Sequence, residues 1–198
     1  FGSSGIRGDA KEFFTNQTSF DLGRVFAILL TRHNTNGAVA VGMDPRESSP
    51  RIKAALVKGL IYEKREVFDD SITPIPSMNW VLISNSSIAG SVMVSGSHVK
   101  PHLNGLKFFA FGEEILKEHE EEIQEIYNLE KEKINIDDIV IQTLESSIRE
   151  SQAQASYIEY IISKAKLPFK KIKVVIDAGN GAQSKVAPEI LNRLGLEV

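Results

Sequence analysis

Apolar positions along the chain follow two periods, and the alternation between them predicts the elements. Leu22, Val25, Phe26 and Leu29 stand at i, i+3, i+4 and i+7, the stripe of a helix packed on one face, which predicts a helix over 19–32. Ala38 to Met43 is short and apolar and runs into a polar Asp44-Pro45-Arg46 turn, as a buried strand ending in a loop does. A second helix is marked by Ser49 as N-cap and Pro50 in the first turn, with Ile52, Ala55, Leu56, Gly59 and Leu60 on one side. A short strand is expected near 66–68. The prolines of Thr73-Pro74-Ile75-Pro76 then remove two backbone donors and force an extended loop, and a short helix follows over 76–84.

Beyond it, Gly90 to Val94 and Gly105 to Phe109 read as strands. The polar stretch Ser95 to Asn104 between them is expected to be a long loop exposed at one sheet edge, the place to look for chemistry. An acidic helix is expected over 113–127 and another over 142–166, followed by a strand at 171–178, a Gly179-Asn180-Gly181 turn and a helix over 184–194 closed by Gly195. Strands alternating with helices predict an α/β fold, a layered α/β/α domain with a mixed sheet between helices. Charged runs bracket the helix at 142–166, so the boundary is placed near 168–170. The expected division is one domain over 1–168 and the opening β-turn-α unit of a second over 169–198.

Composition narrows the function classes. The 198 residues carry 23 Lys+Arg against 26 Asp+Glu, a formal net charge of -3, with 42% hydrophobic residues and no cysteine. That is the balance of an ordinary globular chain, with no long-range field to draw in nucleic acid or acidic lipid. Any anionic ligand must be held locally. Without cysteine there is no disulfide framework, thiol nucleophile or Cys-ligated metal, and the cytoplasm is the expected compartment. No apolar run approaches the roughly 20 residues that cross a bilayer. The first residue is not Met, so a few leading residues are expected to be absent.

Ser95-Gly96-Ser97-His98 directly follows a strand, and its small residues allow close backbone approach to a bound group. Ser97 is either a nucleophile there or only the cap of a turn, with His98 one of 4 scattered histidines. Asn104-Gly105-Leu106-Lys107 leads back into a strand, and Lys107 is expected beside the Ser97 loop. Arg7, within a glycine-rich start, and Arg46, at the end of a strand, offer forked guanidinium groups suited to phosphate oxygens. Both arginines are equally compatible with surface ion pairs, and Lys107 with a solvated lysine. Asp177-Ala178-Gly179-Asn180-Gly181 is either a phosphate cradle at a helix N-terminus or a plain tight turn.

In their order these motifs resemble the α-D-phosphohexomutase superfamily. Phe1-Gly2-Ser3-Ser4-Gly5-Ile6-Arg7-Gly8 is similar to that family's Phe-Gly-Thr-Ser-Gly-Ile-Arg-Gly, Gly42 to Arg46 to its Gly-x-Asp-x-Arg, and Thr73-Pro74 to its Thr-Pro loop. Ser95 to His98, followed by Asn104 to Lys107, resembles its phosphoserine loop, Thr-(Ala/Gly)-Ser-His-Asn-Pro and then Asn-Gly-x-Lys, with Val99-Lys100 standing where the family has Asn-Pro.

The resemblance implies the family's domain I fold, and a hexose 1-phosphate to 6-phosphate interconversion, on glucose or mannose, through a phosphoserine at Ser97. It implies that His98 sits in the active-site loop, that Lys107 transfers a proton or stabilises charge, and that Arg7 assists beside the phosphoserine. The implied cofactors are Mg²⁺, bound through phosphorylated Ser97 and an Asp-rich loop lying beyond Val198, and a hexose 1,6-bisphosphate as intermediate. The implied partners are a phosphosugar and the remaining domains of the same enzyme. Ser4, where phosphoglucosamine mutases tend to have Asp, leans toward a glucose or mannose phosphate. Two other classes stay open: a non-catalytic phosphosugar-binding or regulatory module, and a sugar kinase of the actin-like type with Asp177 to Gly181 as its phosphate loop.

Overall fold

A seven-stranded mixed sheet runs through the molecule in the order β1-β5-β4-β2-β3-β7, with the short β6 beside β5. The strands are β1 (Ile6–Asp9), β2 (Ala38–Met43), β3 (Val67–Ile72), β4 (Ile88–Val94), β5 (Leu103–Ala110), β6 (Glu113–Glu114) and β7 (Ile148–Glu150). The helices are α1 (Asn16–Arg32), α2 (Ser49–Tyr62), α3 (Ile75–Ser84), α4 (Lys117–Glu130), α5 (Ala153–Lys164) and α6 (Gln183–Arg193). The computed structural model describes residues 5–139, 147–166 and 172–198. β2 pairs in parallel with β3 and β4, and β3 with β7, while β4–β5 and β5–β1 are antiparallel.

The period-2 pattern of β2 divides the core. Val39 and Val41 join Leu22, Val25, Phe26, Ile52, Leu56 and Phe108 under α1, α2 and α4, whereas Ala38 and Ala40 join Met78, Val81, Met93 and Ala153 under α3 and α5. This is the layered α/β/α arrangement expected from the sequence. On the larger face α1 and α2 cross at glycines. A Cβ on Gly23 would lie 2.1 Å from the Leu56 carbonyl oxygen, and one on Gly59 2.0 Å from that of Phe20.

Several boundaries differ from the sequence expectations, each for a local reason. α1 starts at Asn16 because Thr15 accepts from the Thr18 amide and caps it. Ser48, not Ser49, occupies the N-cap of α2, and the Ser49 hydroxyl donates instead to Asp44. The acidic segment begins as strand, because Phe111 (φ 59°) and Gly112 (φ 93°) make a two-residue turn that pairs Glu113 with Ala110, and helix starts only at Lys117. In the helix expected over 142–166, Ile148–Glu150 adds to β3 as strand and helix covers Ala153–Lys164; residues 142–146 lie outside the described ones. No strand forms over 172–178, which has only the single bridge Lys173 to Glu197; residue 171 and the expected boundary at 168–170 are outside the described residues. The 95–104 loop is shorter than expected, since β5 begins at Leu103 and Asn104 is buried. Nor is it at a sheet edge, because β1 covers the outer side of β5 and the loop instead caps the end of two inner strands.

Candidate functional site

At the C-terminal end of β4 the chain leaves the sheet at Ser95, whose amide still donates to the Gly105 carbonyl at 2.9 Å. The loop then closes through Val99 N to Gly96 O at 3.1 Å and Leu103 N to Lys100 O at 3.0 Å. Ser97 sits exposed at its turn with φ 54°, in the left-handed region that costs a non-glycine residue about 1–2 kcal/mol. Its amide donates to Ser95 Oγ at 3.0 Å, and its Oγ lies 3.2 Å from His98 Nδ1.

Two residues at the end of β2 hold this loop from beneath. Asp44 is buried and accepts five hydrogen bonds: from Ser49 Oγ, Ser95 Oγ, Gly96 N, Arg46 N and Arg46 Nε, at 2.6 to 3.2 Å. Arg46 donates onward to four loop carbonyls, those of Lys100, Leu103, Ser97 and Val99. Gly96 packs on the guanidinium so closely that a Cβ there would lie 2.5 Å from Nε. On the far side, Asn104 donates to Ser48 Oγ at 2.8 Å and Ser49 Oγ at 3.0 Å, tying the start of β5 to α2.

The loop opens onto a cleft of about 620 Å³, lined among others by Asp44, Arg46, Met93, Ser97 and the segment 178–183. In that segment Gly179 and Asn180 are both left-handed, and Asp177 Oδ1 accepts from the Gly179 amide at 2.9 Å, forming a tight turn ahead of α6.

Ser97 and His98 lie in the loop and Arg7 beside its Ser95 end, whereas Lys107, expected beside the loop, has its ammonium on Glu114. Ser97 and His98 are in hydrogen-bond contact. Arg7, on β1, is paired with Gly105, over which it lies: a Cβ on Gly105 would meet Arg7 Cγ at 3.3 Å and Ser95 O at 2.8 Å. Arg7 is exposed and makes no ion pair among the described residues. Lys107 lies two residues farther along β5, across from Met93, with Nζ 3.4 Å from Glu114. The organising roles of Asp44, Arg46 and Asn104 escaped the sequence reading. The available signal was an Asp-Pro-Arg turn at the carboxyl end of a buried strand, where α/β sheets gather their ligands.

The described residues around Ser97 do not form a Mg²⁺ site. Among the described residues no three His, Cys, Asp or Glu side chains converge. Of the carboxylates in the cleft wall, Asp44 has both oxygens engaged and Glu47 is exposed. A hard cation wants several convergent oxygens, and among the described residues one oxygen at Ser97 does not make a site.

Residues 1–134 match the family model for phosphoglucomutase/phosphomannomutase, alpha/beta/alpha domain I. The chain belongs to the phosphoglucomutase/phosphomannomutase family. Over 199 aligned residues it is 37% identical to the phosphoglucosamine mutase of Caldanaerobacter subterraneus subsp. tengcongensis, with 100% of this chain and 44% of that protein covered. The phosphoglucosamine mutase of Clostridium acetobutylicum is 32% identical over the same shares. A crystal structure of a phosphoglucomutase/phosphomannomutase family protein from Burkholderia thailandensis superposes with a TM-score of 0.78 at 28% identity, covering 98% of this chain and 42% of that one. The chain therefore spans less than half the length of these relatives. Among the described residues no helix is long and apolar enough to cross a membrane.

Proposed function

We propose that this chain carries the phosphoacceptor half of a phosphohexomutase, in which Ser97 holds the phosphoryl group that is exchanged between the 1- and 6-hydroxyls of a hexose phosphate. The observation that carries the reading is Ser97 itself: an exposed hydroxyl, held in a left-handed turn over buried Asp44 and half-buried Arg46, facing a cleft at the carboxyl ends of the strands. A satisfied turn-capping serine would not need that support.

In the proposed cycle a free sugar hydroxyl attacks the phosphorus of phosphorylated Ser97. The serine Oγ–P bond breaks as the new P–O bond forms, leaving a hexose bisphosphate, and Ser97 then takes the other phosphoryl group while the sugar oxygen is released. Transfer of this kind depends on positioning and on positive charge around the equatorial oxygens. Arg7, over Gly105 and without an ion-pair partner among the described residues, is assigned the supply of such charge at the Ser95 end of the loop. The ring nitrogen of His98, 3.2 Å from the Ser97 hydroxyl, fixes the rotor of the unphosphorylated serine. Lys107 is assigned proton transfer or charge stabilisation, with Glu114 fixing its ammonium. The domain division at about 168 belongs to the same proposal, with 172–198 as the opening unit of a second domain whose segment 178–183 completes the cleft wall.

The names of the curated relatives add glucosamine phosphate to glucose and mannose phosphates as substrates to test. Intact mass of the full-length protein purified from cells should show one phosphate mapping to Ser97, and Ser97→Ala should abolish turnover of all three sugar 1-phosphates. A wild type that binds phosphosugar with neither turnover nor phosphoserine would instead establish the non-catalytic module.

A further inference from the structure

We propose that Arg46 is a positioning residue for phosphoryl transfer at Ser97, acting through the backbone carbonyls of the loop and not by contact with a phosphate. The inference rests on the reading of Ser97 as phosphoacceptor and deepens it. A guanidinium has five N–H donors in a planar fork. Here Nε meets Asp44 Oδ2 at 3.2 Å, one terminal nitrogen meets Lys100 O at 3.0 Å and Leu103 O at 3.3 Å, and the other meets Ser97 O at 3.0 Å and Val99 O at 2.7 Å. Five donors face five acceptors, so none is left for an anion. What the side chain does is gather the carbonyls of a short loop onto one plane.

Two features make that gathering matter for chemistry. The Ser97 backbone is left-handed, a conformation that persists only where the surroundings over-determine it, and its own carbonyl is one of the four that Arg46 holds. Pro101 fixes one φ farther along the loop, but the turn at Ser97 itself is closed by few bonds of its own, Ser97 N to Ser95 Oγ at 3.0 Å and Val99 N to Gly96 O at 3.1 Å. Asp44 completes the device: the oxygen that orients Arg46 Nε also takes Ser95 Oγ at 2.9 Å and Gly96 N at 3.0 Å. One carboxylate therefore fixes both the approach to Ser97 and the fork beneath it.

The test uses the full-length protein, wild type beside Arg46→Lys and Arg46→Ala. Arg46→Lys keeps the charge and loses the fork. A displacement of about 1 Å at a reacting group costs on the order of 10²-fold in rate, so kcat should fall about that far with KM nearly unchanged. Amide hydrogen exchange across residues 97–103 should quicken in both variants while the sheet stays protected, and added guanidinium ion, unlike methylammonium, should restore part of the turnover of Arg46→Ala. Wild-type kcat in Arg46→Lys, or a rise in KM alone, would overturn the positioning role while leaving the Ser97 reading intact. A wild type with neither phosphoserine nor turnover removes the Ser97 reading, and the positioning role falls with it.

Discussion

Ser49 Oγ donates to Asp44 Oδ1 at 2.6 Å, so the first residue of α2 is bonded to the residue that follows β2. Ser49 also accepts from Asn104 Nδ2 at 3.0 Å, and all three side chains are buried. Ser49→Ala should therefore cost about 1–3 kcal/mol, the usual penalty for a buried polar group left without its partner. Ser48→Ala should cost less, since Asn104 keeps its bond to Ser49. Thermal melts of the two variants check the order.

Gly23→Ala and Gly59→Ala should each destabilise by about 1–3 kcal/mol, as overpacking does, although alanine is the better helix former. In both cases the added methyl meets a backbone carbonyl of the opposite helix, which cannot swing aside as a flexible side chain would. Gly112→Ala, with nothing within 4 Å of the new Cβ, should show only the strain of its positive φ. Denaturant titration that ranks Gly112→Ala as the worst of the three would contradict the close crossing of α1 and α2.

Asp70 is buried beside the first turn of α5, and desolvation pushes its carboxyl up to about 6, with the charge of Asp69 adding to the rise against an opposing hydrogen bond from Ser151. The unfolded chain ionises near 3.9, so between about pH 4 and pH 6 the folded state holds a proton the unfolded state has lost. Stability attached to this group is thus highest below pH 4, falls as pH rises to about 6 and is level above, a loss on the order of 2–3 kcal/mol. Asp70→Asn removes the titration. The gap in Tm between Asp70→Asn and wild type should widen in favour of the variant from pH 4 to pH 7; a gap independent of pH would show that Asp70 ionises normally.

Lys107→Ala should lower phosphomutase turnover by on the order of 10²-fold, the usual effect of losing one positioned cation or proton donor. Phosphorylated Ser97 should remain detectable by mass. Because Lys107 pairs with Glu114 at 3.4 Å, Glu114→Gln should lower turnover less than Lys107→Ala does. Unchanged rates in both variants would make Lys107 an ordinary structural ion pair.

What the sequence disclosed was whatever is written in local periodicity. The stripe of α1 and the apolar run of β2 determine which way these elements face, and both were legible to within a few residues. Glu113 and Glu114 were not, because their strand character comes from Phe109 and Ala110 across a turn, a partner that helix propensity ignores. The segment 172–178 failed the opposite way: an apolar, β-branched run gains no ladder from periodicity alone, and among the described residues it pairs only through the Lys173–Glu197 bridge. The site divided similarly. Ser97 and His98 are adjacent in the chain and could be named from it, whereas Asp44 and Arg46 reach the loop only because the sheet order sets β2 beside β4.

That order has a consequence for when Ser97 becomes special. Ser95 and Asp44 are 51 residues apart in sequence, and they meet only after β2 and β4 have paired in parallel. In a nascent or misfolded chain Ser97 is a serine like any other, with no force holding its turn. If Ser97 is the phosphoacceptor proposed above, a phosphate on it would serve as a chemical receipt that the centre of the sheet has closed.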